Sequence, residues 1–152
     1  MTEEKLSSDI VLAVRNKHPD TRGRFFHISN ERNSTKQAWK AKSIGIYSGV
    51  SDFIYIYNGN TTIINPEGFL GFIALEIKVP NSRHKVEHIE QQVGWGELVE
   101  SLGGCWRLIT SVEEAVSCIE GNLKGYTTKE VRELLKENKL KNIIIPLWQS
   151  KF

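Results

Sequence analysis

Leu6, Ile10 and Ala13/Val14 recur at helical spacing through EEKLSSDIVLAVRNK, and His18-Pro19 then closes the run, which predicts an amphipathic helix over 3–17. FFHIS (25–29) predicts a short strand, and the polar, basic SNERNSTKQAWKAK (29–42) a loop or a frayed helix. From Ile44 the period changes to two. DFIYIY (52–57) is rich in β-branched and aromatic residues and ends at Asn58-Gly59, a hairpin signal. TTIIN (61–65) predicts a second strand, Pro66-Glu67-Gly68 a turn, and FIALEIKV (72–79), closed by Pro80, a third strand of an antiparallel meander. Val86, Ile89, Val93, Gly96 and Val99/Leu102 mark one face of a long helix from Ser82 to Leu102, ended by Gly103-Gly104. CWRLIT (105–110) predicts a fourth strand, and a capping box at Ser111–Glu114 opens a short helix to Ile119.

The expected class is therefore α/β, with an αβββαβ order in which helices flank a mixed sheet and the last strand is reached through a helix crossover. Residues 1–120 form this unit. Residues 121–152 are a helical/strand extension: Thr127–Glu130 is another capping box, and the apolar NIIIPLWQSKF either packs back on the core or meets a partner subunit.

Composition changes this picture little. With 152 residues, 39% of them hydrophobic, the chain can bury a core without disulfides or a structural metal. The formal charge of +2 does not by itself argue for nucleic acid, although residues 1–42 hold nine Lys/Arg against five acids, a local excess of four. Cys105 and Cys118, in no CxxC pair, are expected as reduced, buried thiols. The acidic start MTEEKLSSDI lacks the apolar region of a signal peptide, and no run is long enough for a membrane span, so a cytoplasmic protein is expected.

Chemistry enters at LEIK. With period two, Phe72, Ala74, Glu76 and Lys78 share one face of the third strand, and Ile73, Leu75, Ile77 and Val79 the other. Taken alone, Glu76-x-Lys78 reads as a solvated ion pair. Asp52, at the head of the meander in Gly49-Val50-Ser51-Asp52, alters the balance, because pairing of the strands brings it near Glu76. Two carboxylates beside a lysine make a hard oxygen site for Mg²⁺, with an ammonium in reach of water or phosphate.

Gly49-x-x-Asp52, Glu76-x-Lys78 followed by Pro80, then a helix with Gln92-x-x-Trp95 ending in Gly-Gly resemble the VRR-NUC domain, the virus-type replication-repair branch of the PD-(D/E)xK nuclease superfamily. His27-Ile28-Ser29-Asn30-Glu31 echoes the family's HIxNE segment, and Glu3 or Glu4 an acid on its first helix. Ser51 stands where the family has proline, a structural position. The resemblance covers about 3–119 and implies a restriction-endonuclease-like core. It also implies metal ligation by Asp52, Glu76, the Ile77 carbonyl and Glu3 or Glu4. Asp52, Glu76, Lys78 and Gln92 would be the catalytic set: Lys78 orients or polarises the attacking water or stabilises charge on the phosphate, and Gln92 positions the lysine or the substrate. The implied reaction is Mg²⁺-dependent hydrolysis of DNA phosphodiesters to 5′-phosphate products, with Mn²⁺ able to substitute, by a homodimer acting on branched or junction DNA in phage-type replication or repair. His27, Asn30, Arg32, Lys36, Arg83 and Lys85 are candidate DNA contacts.

His84-x-x-x-His88 has zinc-like spacing but no third ligand nearby, and reads as exposed or DNA-facing. Tyr47, Tyr55 and Tyr57 read as half-buried sheet residues, and Trp95 and Trp106 as core. Two other functions stay in competition: an inactive DNA-binding or interaction module on a nuclease scaffold, and a restriction-like, sequence-specific endonuclease.

Overall fold

The computed structural model describes residues 1–28, 39–40, 43, 47–57, 71–138 and 140–150. Thr2 caps the first helix, α1 (Glu3–Lys17), by accepting the Lys5 N–H at 3.1 Å, and Glu3 and Glu4 in its first turn suit the positive end of the helix dipole. Three short strands follow: β1 (Phe25–His27), β2 (Phe53–Ile56) and β3 (Phe72–Ile77). They pair antiparallel in that order, so the meander is built with FFH as its first strand. The expected strand 61–65 and its flanking turns lie outside the described residues, as do Asn30, Arg32 and Lys36.

The helix expected from Ser82 begins only at Val86. Residues Arg83–Lys85 form a strand, β4, before α2 (Val86–Ser101). The cause is backbone pairing with the chain's end. Asn81 sits at a φ of 60°, its N–H donates to the Ile145 carbonyl at 2.9 Å, and β4 pairs antiparallel with β6 (Asn142–Ile144). Sheet bonds thus satisfy amides that a helix start would have left unpaired.

Helix α2 crosses to β5 (Cys105–Ile109), which runs parallel to β3 and completes a four-stranded sheet in the order β1-β2-β3-β5. Two helices follow, α3 (Val112–Ile119) and α4 (Thr128–Glu137), each opened by its expected N-cap, Ser111 and Thr127. The fold is thus a mixed α/β sheet flanked by helices. One face packs Ile73, Leu75 and Ile77 against Leu6, Ile10 and Val14 of α1 and Ala115 and Cys118 of α3. The other packs Ala74, Trp106 and Leu108 against Ile89 and Val93 of α2, Val131 of α4, and Ile143 and Ile145. The C-terminal segment is thereby part of the second core layer. Trp148 ties in as well, its N–H donating to Thr110 Oγ1 at 2.9 Å.

Trp106 is fully buried and Trp95 packs at the margin of the same layer. Tyr55 is buried within β2 and Tyr57 is half-buried just beyond it, whereas Tyr47 is exposed and lies outside the sheet. Cys105 and Cys118 are buried, and no disulfide joins them. Among the described residues, no helix is long and apolar enough to cross a membrane.

Candidate active site

The register of β2 on β3 decides what meets at the end of the sheet. Phe53 lies opposite Leu75, so one further step places Asp52 opposite Glu76. Like charges so placed repel. Asp52 is held there by the backbone: its Oδ2 accepts the Ile77 N–H at 2.8 Å. Lys78 follows β3, and its N–H donates to the Ile109 carbonyl at 3.0 Å, which carries the parallel ladder one residue further. That step returns the Lys78 side chain to the face of Glu76.

Glu76 is 1% exposed and Lys78 6%, so neither is a solvated surface charge. Lys78 Nζ lies 3.3 Å from Glu76 Oε1 and 3.4 Å from Glu3 Oε1, the latter reaching in from the first turn of α1. Of the two acids considered for α1, Glu3 is the one that meets the lysine. Glu76 Oε2 is buried without a hydrogen-bond partner. Burial, reinforced by the neighbouring Asp52 charge, holds the Glu76 carboxyl well above the usual carboxylate range, against the opposing pull of Lys78. Burial disfavours the Lys78 ammonium, but Glu76, Glu3 and Asp52 together outweigh it and raise its pKa. Three acidic side chains thus surround one ammonium, a surplus of acid around the buried Glu76 and Lys78.

That donor set fits a hard divalent cation: its oxygens are carboxyl oxygens, acids outnumber the one ammonium, and a cation would favour the ionised form of Glu76. The unpartnered Glu76 Oε2 is the atom such an ion would satisfy. The Ile77 peptide lies beside Asp52, to which its N–H is bonded. Among the described residues, no three His, Cys, Asp or Glu side chains converge as a ready-made cage. Any ion here would complete its shell with backbone oxygen, water or substrate.

The other expected residues are placed less uniformly. Gln92 is half-buried on α2, its Oε1 buried and without a hydrogen-bond partner. The link from that helix to Asp52 runs through its neighbour. Gly49, at a φ of +89°, packs so close to the Gln91 carbonyl that a Cβ would stand 3.1 Å from it, so the loop leading to Asp52 leans on α2. His27 ends β1 opposite Phe53, with the rings 5.0 Å apart, and the next residue's N–H binds the Asp52 carbonyl at 2.7 Å. A cleft of about 680 Å³ opens here, lined by Glu3, Glu4, His27, Asp52 and, further along α1, Arg15.

Arg83 and Lys85 are exposed on the outer face of β4, while His84 between them turns inward. His84 Nε2 lies 3.2 Å from the Val79 carbonyl, and Nδ1 3.8 Å from Glu3 Oε1. His84 and His88 therefore do not share a helix face: one is on β4 and the other in α2. The sequence carries no signal for this, since RHK has no apolar alternation and stands directly ahead of a much longer helical stripe. No protein-family model, no curated protein and no solved structure matches this chain.

Proposed function

We propose that this chain is a metal-dependent endonuclease that hydrolyses DNA phosphodiester bonds on a restriction-endonuclease-like core of the VRR-NUC type. The observation that carries this reading is the pairing of Asp52 with Glu76 across β2 and β3, with Lys78 as the one ammonium among three acidic side chains. A buried structural ion pair needs no such surplus of acid, and its cost in stability calls for a return in function.

Asp52, Glu76 and Glu3, with the Ile77 carbonyl, are the residues that would hold Mg²⁺ or Mn²⁺. When bound, the ion supplies positive charge to the scissile phosphate and makes the attacking water more acidic. Water attacks phosphorus in line; the new P–O bond forms as the bond to the 3′-oxygen breaks, leaving a 5′-phosphate. Lys78, held protonated by its three acids, serves as a fixed cation that orients the water or stabilises charge on the phosphate rather than as a general base. Gln92 positions the substrate side of the site. His27 and the outward Arg83 and Lys85 contact the DNA backbone. Branched or junction DNA as substrate, a homodimeric assembly and a cytoplasmic site of action belong to the same proposal.

The test is a cleavage panel of single-stranded, duplex, flap and four-way-junction DNA with Mg²⁺, Mn²⁺ or chelator. Metal-dependent cleavage is expected, with preference for the branched substrates. Asp52→Asn, Glu76→Gln and Lys78→Ala should each lower it by about 10²-fold or more. Cleavage that persists in chelator, or survives these substitutions, overturns the mechanism. DNA binding without cleavage in either metal would favour a binding module, and one preferred duplex sequence a restriction-like enzyme. Sedimentation giving the mass of a single chain would remove the dimer.

A further inference from the structure

The site is bordered by a histidine to which the cation and the lysine assign no task. His84 is half-buried on β4, with only 12% of its side chain exposed, and its ring stands between two parts of the site. On one side Nε2 meets the carbonyl of Val79, the residue directly after Lys78, at 3.2 Å. On the other Nδ1 faces Glu3 Oε1 at 3.8 Å, the same oxygen that Lys78 approaches at 3.4 Å. Glu3 needs such a neighbour. It lies in the first turn of α1, where helices fray, and its side chain is 45% exposed, so packing alone does not fix its rotamer. The backbone beyond Lys78 has a comparable need, because β3 ends at Ile77 and the chain turns through Asn81 at a positive φ. β4 itself is anchored by its pairing with β6, His84 lying opposite the buried Ile143.

We propose that His84 is a positioning residue that sets the Glu3 carboxylate, and the chain segment that follows Lys78, in the geometry needed to complete the cation site. It touches neither the Glu76 nor the Asp52 carboxylate, and acts through Glu3 and the Val79 peptide. This role rests on the nuclease reading above, and it gives the C-terminal strand a part in the chemistry. Residues that orient a metal ligand from behind are worth about 10- to 100-fold in metal affinity or activity when removed.

The test combines His84→Ala, His84→Gln and Glu3→Gln, singly and as the His84→Ala/Glu3→Gln double variant. Two readouts are used: Mn²⁺-dependent thermal shift and steady-state cleavage of the best DNA substrate. His84→Ala should weaken Mn²⁺ binding and lower kcat by about 10- to 100-fold with KM for DNA little changed. His84→Gln, whose amide can still donate to the Val79 carbonyl, should recover part of that loss. In the Glu3→Gln background His84→Ala should cost little more, because the two act on one carboxylate. Losses that simply multiply in the double variant, or a His84→Ala protein with unchanged Mn²⁺ response and kcat, overturn the role for His84. A wild-type protein showing neither cleavage nor a Mn²⁺ shift overturns the nuclease reading itself, and this inference with it.

Discussion

At the scale of single residues, Glu76 is a buried acid placed against a second acid. Its carboxyl is buried beside Asp52, and burial more than any other cause raises its pKa. A raised folded value means the native state holds this proton over a pH range in which the unfolded chain has released it. Stability then falls as pH rises through that range, from the ordinary carboxylate value near ~4.3 upward. Melting curves in chelator between pH 5 and 8 should show wild type losing stability relative to Glu76→Gln as pH increases, with the variant at least as stable at pH 8. Parallel curves would mean that Glu76 is well compensated within the protein and has no need of a cation. Cys118 provides a contrast: burial pushes its thiol up to about 11, so it should resist alkylation at pH 8 until the chain unfolds.

At the scale of elements, the sites where α2 meets its neighbours are fixed by small residues. Gly96 packs on the buried Trp106 of β5, where a Cβ would lie 2.6 Å from the indole. Gly96→Ala gains about 1 kcal/mol of helix propensity but forces a rigid, fully buried ring to move, so a net loss of about 1–2 kcal/mol is expected in denaturant melts. A gain would show that the tryptophan has room to shift. The same elements show what was legible in the sequence. Periodic apolar stripes gave α1, α2 and the alternation of β3, and the Ser111 and Thr127 caps gave the starts of α3 and α4. The approach of Asp52 to Glu76 could be read because strand pairing carries it. What could not be read is β4. Arg83–Lys85 has no apolar alternation, and its state is decided by hydrogen bonds to residues some sixty positions away, at β6. The inward turn of His84 depends on that pairing, so it was hidden with it.

For the whole molecule, the question is whether residues 121–152 are an accessory or part of the fold. Tyr126 is bridged to Leu108 of the central sheet, and its hydroxyl donates to the Pro146 carbonyl at 2.7 Å. Val131 and Ile145 are fully buried against the α2 face. Ile145 also accepts the Asn81 N–H just beyond Lys78, so the chain's end braces the segment that leaves the candidate site. Truncating its side chain removes buried apolar surface and opens a cavity, which for Ile→Ala costs about 2–5 kcal/mol. Ile145→Ala should therefore lower the unfolding midpoint in one cooperative transition, with no separate early step for the C-terminal segment. Chain 1–120 alone should fail to reach the native melting temperature. A stable 1–120 fragment, or two resolved transitions in the variant, would show instead that the extension docks on a core complete without it, and His84 would then lose the strand that holds it in place.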